Sequence, residues 1–266
     1  MKIAIIGAGN MGAAIARGLS RGSIFETKNI SVSDINEDRL ELLTRFNPEI
    51  TTLTSNVDNV KDADIVLLAV KPWLVEKVIG EIKAFLNYEK QIIISIAAGV
   101  PCERLNFLLA KENDTVPALF RVIPNTAIGV LQSVSTIASS NANREQKELI
   151  MNIFNELGKS YLVPENQLNA FMALSSCGIA YAFRYIRAAT EGAVEMGISP
   201  YIAKEVKMQT LRGAIELLET NDSHPEAEVD RVTTPGGIAI KGLNKMEACG
   251  FTNSVIEGLK ASWIKD

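Results

Sequence analysis

Apolar positions in the first half of the chain come in short unbroken runs, of which Ile65-Val-Leu-Leu-Ala-Val70 and Ile92-Ile-Ile-Ser-Ile96 are the clearest. A strand with one wet face alternates apolar and polar residues; a strand covered on both faces does not, so these runs predict a parallel sheet sandwiched between helices. Strands are expected at 2–6, 30–33, 65–70, 92–96 and 119–123, with two more at 134–138 and 161–163. Helical periodicity fills the gaps, as at 36–46 and 74–85. Strands alternating with helices predict a doubly wound, mostly parallel α/β domain.

The second half carries almost no strand signal. Helices are expected at 145–157, along the alanine-rich run 167–196, from a cap at Ser199 with Pro200 in first position to about Glu219, and at 252–264 with Thr252 as cap. The break falls near Val163-Pro164, giving one domain over 1–163 and an all-α domain over 164–266. Residues 170–189 are apolar along much of their length, but Arg184, Arg187 and Ser175 argue against a membrane span. A helix covered on several sides fits better, in a domain that also pairs with another subunit.

Charge and rare residues narrow the chemistry. A formal charge of −4 and a pI near 5.3, with no basic run, argue against nucleic acid as a partner. The chain opens on a core strand, which predicts no leader peptide. Cys102, Cys177 and Cys249 are widely spaced, odd in number and without metal-ligand spacing, which predicts no metal, no disulfide framework and a reducing, cytoplasmic setting. His224 is the single histidine and lies in a turn-like Asn-Asp-Ser-His-Pro segment, so an exposed loop histidine is expected. Its isolation removes mechanisms built on a Ser-His-Asp triad or a histidine-rich metal site.

The first predicted strand runs directly into Gly7-Ala8-Gly9-Asn10-Met11-Gly12, and a helical pattern (Met11, Ala14, Ile15, Leu19) follows up to Gly22. In that strand–turn–helix setting G-x-G-x-x-G predicts dinucleotide binding: Gly7 for the tight turn, Gly9 for access of a pyrophosphate, Gly12 for close packing of helix on strand. Asp34 ends the second strand about 20 residues on, where a carboxylate accepts from a ribose 2′-hydroxyl and repels a 2′-phosphate. That favours NADH, while Arg39 or Lys71 within reach of a phosphate keeps NADPH open. Three further segments end strands on the same rim: Ala69-Val70-Lys71-Pro72, Ala97-Ala98-Gly99 and Pro124-Asn125-Thr126. The small residues at 97–99 would let a flat nicotinamide approach the backbone. Lys71 could meet a phosphate or be solvated, and Pro72 could simply start a helix.

Near the other end lies Val232-Thr233-Thr234-Pro235-Gly236-Gly237-Ile238-Ala239-Ile240. With Thr234 as N-cap and Pro235 in the first helical position, the N–H groups beyond Gly236 and Gly237 would form a small-anion site sized for a carboxylate. An ordinary Pro-Gly-Gly turn ahead of a helix at 238–247 is the alternative.

These residues together resemble pyrroline-5-carboxylate reductase over essentially the whole chain: the 7–12 loop, Asn56, Ala69 to Pro72, Ala97 to Gly99, Pro124-Asn125-Thr126 and, most specifically, Val232 to Gly237. The resemblance implies a Rossmann domain, a helical dimerisation domain interlocking between subunits, often a ring of dimers, and reduction of 1-pyrroline-5-carboxylate to L-proline with NADPH or NADH. It implies cofactor contacts from Gly7, Ala8, Gly9, Asn10, Met11, Gly12, Asn56, Ala69, Val70, Lys71, Pro72, Ala97, Ala98, Gly99 and Asn125. It places Thr234, Gly236, Gly237, Ile238 and Ala239 around the substrate carboxylate.

The chain departs from the family pattern where hydroxyl residues usually follow Pro-Gly-Gly, since Ile238 and Ala239 stand there. Ala127 follows Asn125-Thr126, and the run Ser175-Ser-Cys-Gly-Ile-Ala180 replaces Ser-Gly-Ser-Gly-Pro-Ala. Water, Thr233 or Thr234 is expected to take over the missing hydroxyl's role at the imine nitrogen. Two other readings compete. A β-hydroxyacid-type dehydrogenase would need a lysine base on the linking helix, and the chain has no lysine between Pro164 and Met196. A dinucleotide-sensing or scaffold protein that lost turnover is supported only by the missing hydroxyl at Ala239.

Overall fold

The computed structural model describes residues 1–112 and 114–264; the end of the expected 164–266 domain, at 265–266, lies outside the described residues. Contacts divide the chain into two compact units, with 1–176 in the first and 177–264 in the second.

The first unit is built on an eight-stranded sheet in the order β3-β2-β1-β4-β5-β6-β7-β8. The strands are β1 (Ile3–Ile6), β2 (Ile30–Ser33), β3 (Thr51–Leu53), β4 (Ile65–Leu68), β5 (Ile92–Ser95), β6 (Ala118–Ile123), β7 (Ser133–Ser140) and β8 (Gly158–Leu162). The strands β1 to β6 are parallel to one another; β7 is antiparallel to β6, and β8 is parallel to β7. Helices α1 (Asn10–Leu19), α2 (Glu37–Phe46), α3 (Asn56–Val60), α4 (Val75–Ile82), α5 (Cys102–Leu109) and α6 (Arg144–Asn155) flank it.

The unbroken apolar runs have the cause expected of them. Ile3, Ile5, Ile65, Leu67, Ile92 and Ile94 pack with α1, α2 and α6 on one face, while Ala4, Ile6, Val66, Leu68 and Ile93 pack with α4 and α5 on the other. Each fully buried Leu, Ile or Val contributes about 1.5–3 kcal/mol relative to exposure, so both faces reward burial and both must be apolar.

Several boundaries differ from expectation. β3 is additional; it is short, polar and partly exposed, at the sheet edge. The strand expected at 65–70 stops at Leu68, and the helix expected at 74–85 is an α-helix flanked by the 3-10 turns Pro72–Leu74 and Lys83–Phe85.

After β8 the chain passes through a 3-10 turn, Glu165–Gln167, and a short helix, α7 (Leu168–Met172), then a π-helical turn, Ala173–Cys177. Leu168 is buried with Ile123 and Ala138 of the sheet. The expected continuous helix over 167–196 is therefore interrupted.

The second unit is helical throughout: α8 (Gly178–Glu195), α9 (Pro200–Asn221), α10 (Pro225–Val232), α11 (Ile238–Ala248) and α12 (Phe251–Ser262). Helix α10 was not expected, and His224 is its exposed N-cap, accepting from the Glu226 N–H through Nδ1 at 3.2 Å. Helix α12 begins one residue before Thr252, after Gly250 in the left-handed region; the Thr252 hydroxyl instead donates to Glu247 at 2.7 Å. Among the described residues α8 buries only Thr190 and α9 only Ala203, leaving Phe183, Tyr201, Val206 and Ile215 exposed. Among the described residues no helix is long and apolar enough to cross a membrane, and no cluster of His, Cys, Asp or Glu could hold a metal ion.

Candidate active site

Register places the candidate cofactor segments on one edge. Ile6 lies opposite both Ser33 and Leu68, Leu68 opposite Ser95, and Ser95 opposite Arg121. The chain therefore leaves β1, β2, β4, β5 and β6 at the same rim, through residues 7–12, 34–36, 69–72, 96–101 and 124–127. In open α/β sheets this carboxyl edge is where ligands bind.

The glycine loop is shaped by contact as well as by conformation. Gly7 has φ +109°, where an L side chain is strained, and a Cβ there would lie 2.6 Å from the Ala69 carbonyl oxygen. Its N–H donates to Ser33 O at 2.7 Å, tying the turn to β2. A Cβ at Gly12 would overlap the Gly7 carbonyl oxygen and reach 3.0 Å from Ala69 Cβ. Gly9 is different: among the described residues nothing lies within 4 Å of a Cβ built there, and no side chain caps α1. Asn10 and Met11 begin that helix, so its first N–H groups and positive dipole end face open space. This cradle fits a pyrophosphate.

Asp34 has an additional task. Its carboxylate is only 8% exposed; Oδ2 accepts from the Ala8 N–H at 2.7 Å, and Oδ1 accepts from the Asn36 N–H at 2.9 Å. Arg39 Nη1 stands 3.6 Å from Oδ2. The acid thus braces the glycine loop, with lone-pair capacity left for a ribose hydroxyl. Ile35, beside it, is 91% exposed.

Asn56 is equally engaged with protein: Oδ1 accepts from Ser33 Oγ at 2.8 Å and Nδ2 donates to Glu81 at 3.1 Å. Asn59, unmarked by sequence reasoning, donates from Nδ2 to Ser33 Oγ at 3.0 Å and Ile5 O at 3.1 Å. Together they fix the ends of β1 and β2.

Farther along the rim, the Ala69 N–H donates to Ile6 O at 2.8 Å, Val70 lies against Gly7, and Lys71 is exposed ahead of the Pro72 turn. Ala97 is buried, with its N–H 3.3 Å from Ser95 Oγ, whereas Ala98 and Gly99 are exposed. Asn125 is buried; Oδ1 accepts from the Ala127 N–H at 3.1 Å and Nδ2 donates to Ser175 O at 3.5 Å. Ser176 Oγ donates to Pro124 O at 3.1 Å. The middle of the π-helical segment therefore rests on the 124–125 corner, and π-bulges occur often at functional sites.

In the second unit the Thr234 segment differs from one expectation. Thr234 is not the cap of α11, nor is Pro235 its first residue. The Gly237 N–H donates to Thr234 O at 2.8 Å and Gly236 has φ +71°, which makes Thr234 to Gly237 a β-turn with Pro second and Gly third, a type II arrangement. Gly237 is the N-cap, without a side-chain cap, and Ile238 is the first helical residue, 89% exposed. Thr234, Gly236 and Ala239 are exposed, and the Thr233 hydroxyl donates to Asp230 O at 3.3 Å. The open N–H groups at this helix start are thus those of Ile238, Ala239 and Ile240.

An ion pair between buried Arg121 and half-buried Glu165 completes the rim region and was not marked by sequence reasoning. Glu165 also accepts from the Cys102 N–H at 2.7 Å. Burial pushes the Glu165 carboxyl up, but the Cys102 N–H and the Arg121 guanidinium outweigh it and hold it below the usual range. Burial, with the nearby Glu165 charge, pushes the Cys102 thiol up to about 12. The signal available in sequence was one arginine inside the apolar run Ala118-Leu-Phe-Arg-Val-Ile123.

Known proteins are similar to this chain in sequence and fold. A family model described as pyrroline-5-carboxylate reductase dimerisation matches residues 165–266, and one described as NADP oxidoreductase, coenzyme F420-dependent, matches residues 2–99. The chain is 38% identical over 272 residues to pyrroline-5-carboxylate reductase 1 of Dictyostelium discoideum, across 98% of this chain but 48% of that longer protein. It is 35% identical over 266 residues to the pyrroline-5-carboxylate reductase of Methanosarcina acetivorans, across 98% of this chain and 96% of that one. The crystal structure of the Plasmodium falciparum pyrroline carboxylate reductase with NADP bound is similar with a TM-score of 0.87 at 26% identity, covering 98% of this chain and 95% of the other.

Proposed function

The chain belongs to the pyrroline-5-carboxylate reductase family, and from that premise we infer that it reduces 1-pyrroline-5-carboxylate to L-proline with NAD(P)H, the last step of proline biosynthesis. The observation that carries the reading is the open space at Gly9, at an uncapped helix start on the carboxyl rim of a parallel sheet.

Bound there, the reduced nicotinamide supplies the hydride. Gly7, Ala8, Gly9, Asn10, Met11 and Gly12 cradle the pyrophosphate. Asp34 and Asn56 set the ribose end, largely by bracing loop and strand. Ala69, Val70, Lys71, Pro72, Ala97, Ala98, Gly99 and Asn125 line the nicotinamide side. The turn Thr234 to Gly237, with the N–H groups of Ile238 and Ala239, holds the substrate carboxylate.

The imine carbon of a protonated substrate is already electrophilic. It takes the hydride while the C=N electron pair returns to nitrogen, giving a neutral secondary amine that takes one proton from water and leaves as a secondary ammonium. Geometry is therefore the main requirement, which suits a chain whose one histidine caps an exposed helix. Water, Thr233 or Thr234 meets the imine N–H in place of a hydroxyl at Ala239. Asp34 at the end of β2 favours NADH over NADPH, while Arg39 beside it is the group that would meet a 2′-phosphate.

The apolar faces of α8 and α9 are too exposed for a lone subunit. A cavity of about 660 Å³ lined by Tyr181, Tyr185, Lys207, Phe251 and Val255 lies within the second unit. A second copy fills it, giving a homodimer that assembles further into a ring of dimers. Three unpaired cysteines suit the cytoplasm.

Cofactor oxidation followed by absorbance on addition of 1-pyrroline-5-carboxylate tests the reading, with a hydroxy acid plus NAD⁺ as the comparison. Imine-dependent turnover supports it. Hydroxy-acid turnover alone, or tight dinucleotide binding without turnover, overturns it in favour of a hydroxyacid dehydrogenase or a sensor.

A further inference from the structure

The loop 96–101, between β5 and α5, carries Ala97, Ala98 and Gly99; strand pairing holds its entry and an ion pair holds its exit. At the entry, Ser95 is the register partner of Arg121 on the neighbouring strand, and Ser95 Oγ accepts from the Ala97 N–H at 3.3 Å. At the exit, α5 starts at Cys102 behind Pro101, which provides no side-chain cap. The Cys102 N–H instead donates at 2.7 Å to Oε1 of Glu165, 63 residues away, and the same oxygen accepts from Arg121 Nη1. Between these ends Ala98 and Gly99 are exposed, and Gly99 has φ +80° with open space about its Cα.

Stability alone does not explain the pair. An ion pair with a buried partner such as Arg121 is often matched or exceeded by apolar residues of similar volume. What an apolar pair could not do is satisfy the N–H at the start of α5. Glu165 also heads the turn leading through α7 to Ser175 and Ser176, which rest on the 124–125 corner.

We propose that Arg121 and Glu165 are positioning residues for hydride transfer, fixing the 96–101 loop so that Ala97 to Gly99 present a set surface to the nicotinamide. This rests on the assignment of Ala97 to Gly99 to the nicotinamide side. Neither residue need touch cofactor or substrate. Glu165 is charged throughout the neutral range, so the clamp is in place under working conditions.

The test uses the full-length chain with Glu165→Gln. In the absence of cofactor, amide exchange at 96–104 accelerates while exchange at 3–16 does not. Affinity for the dinucleotide, held mainly at the glycine loop, stays within about threefold, while kcat falls about ten- to a hundredfold, the scale of a small misalignment at the reacting atoms. A kcat within about twofold of wild type overturns the proposal. So does a loss of activity that only tracks the unfolded fraction in thermal melts. If Glu165→Gln does not fold, Arg121→Lys, which keeps a cation but loses the planar fork, carries the same expectations. Fast exchange of the Cys102 N–H in the wild type overturns the proposal without any variant. A wild type that lacks imine-dependent turnover fails the functional reading itself, a result distinct from a normal wild type with an unaffected variant.

Discussion

Replacing Gly9 with alanine adds one methyl group where the protein has room and the cofactor would not. The backbone there has φ −67° and ψ −176°, which any L residue adopts, and a Cβ meets no atom within 4 Å among the described residues. Folding stability should therefore change by no more than about 0.5 kcal/mol. A pyrophosphate lying against the same space would be overpacked by the methyl, at a cost of about 1–3 kcal/mol. At 1.4 kcal/mol per tenfold, that weakens the dinucleotide Kd about 5- to 150-fold. Gly12→Ala is the control of opposite kind: its Cβ overlaps the Gly7 carbonyl, so it destabilises the fold by about 1–3 kcal/mol or more. Thermal melts of both variants, with fluorescence titrations of NADH and NADPH, separate the two effects. A Gly9→Ala protein that binds as tightly as wild type would refute the reasoning, because the phosphates would then pass elsewhere.

Four further outcomes are expected. The ratio of kcat/KM for NADPH over NADH is below one, and a ratio well above one contradicts the reading of Asp34. Steady-state kinetics of Ala239→Thr show turnover kept or raised; abolition in a stably folded variant means the 233–239 region is arranged differently. Phe183→Glu combined with Val206→Glu shifts sedimentation toward the monomer, and an unchanged oligomer shows that these faces lie outside the interface. Glu165 has a depressed folded-state pKa, so its stabilisation is complete above the ordinary glutamate value and is lost as pH falls through the folded-state value. Acid unfolding of Glu165→Gln is consequently less steep in that window, and an identical pH dependence would show that the pair contributes nothing.

The sheet was legible because its signal is local and redundant: Ile3 to Ile6, Ile65 to Leu68 and Ile92 to Ser95 are apolar on both faces, and a parallel sheet needs that. β3 was missed because Thr51-Thr52-Leu53 is short, polar and at the edge, held by pairing with β2 rather than by burial. The Thr234 corner was misplaced because Thr followed by Pro satisfies the rule for a helix start as well as that for a turn. Gly236 in the left-handed region decides for the turn. The strand-end segments expected to share one rim do lie along one edge of the sheet, but Asp34 and Asn56 carry bracing hydrogen bonds across 23 to 26 positions that no local pattern encodes. Arg121 did leave a trace: a charge inside a buried strand requires a partner, yet the sequence does not say that the partner is Glu165.

Deuterium transfer tests the central claim most directly. The chain is given 1-pyrroline-5-carboxylate and reduced cofactor deuterated at the nicotinamide C4 position on the transferred face, and the product is analysed by mass spectrometry. The account predicts L-proline carrying one deuteron on the carbon that had been double-bonded to nitrogen. Proline without the label, or no proline at all from a folded protein that binds the cofactor, would contradict it.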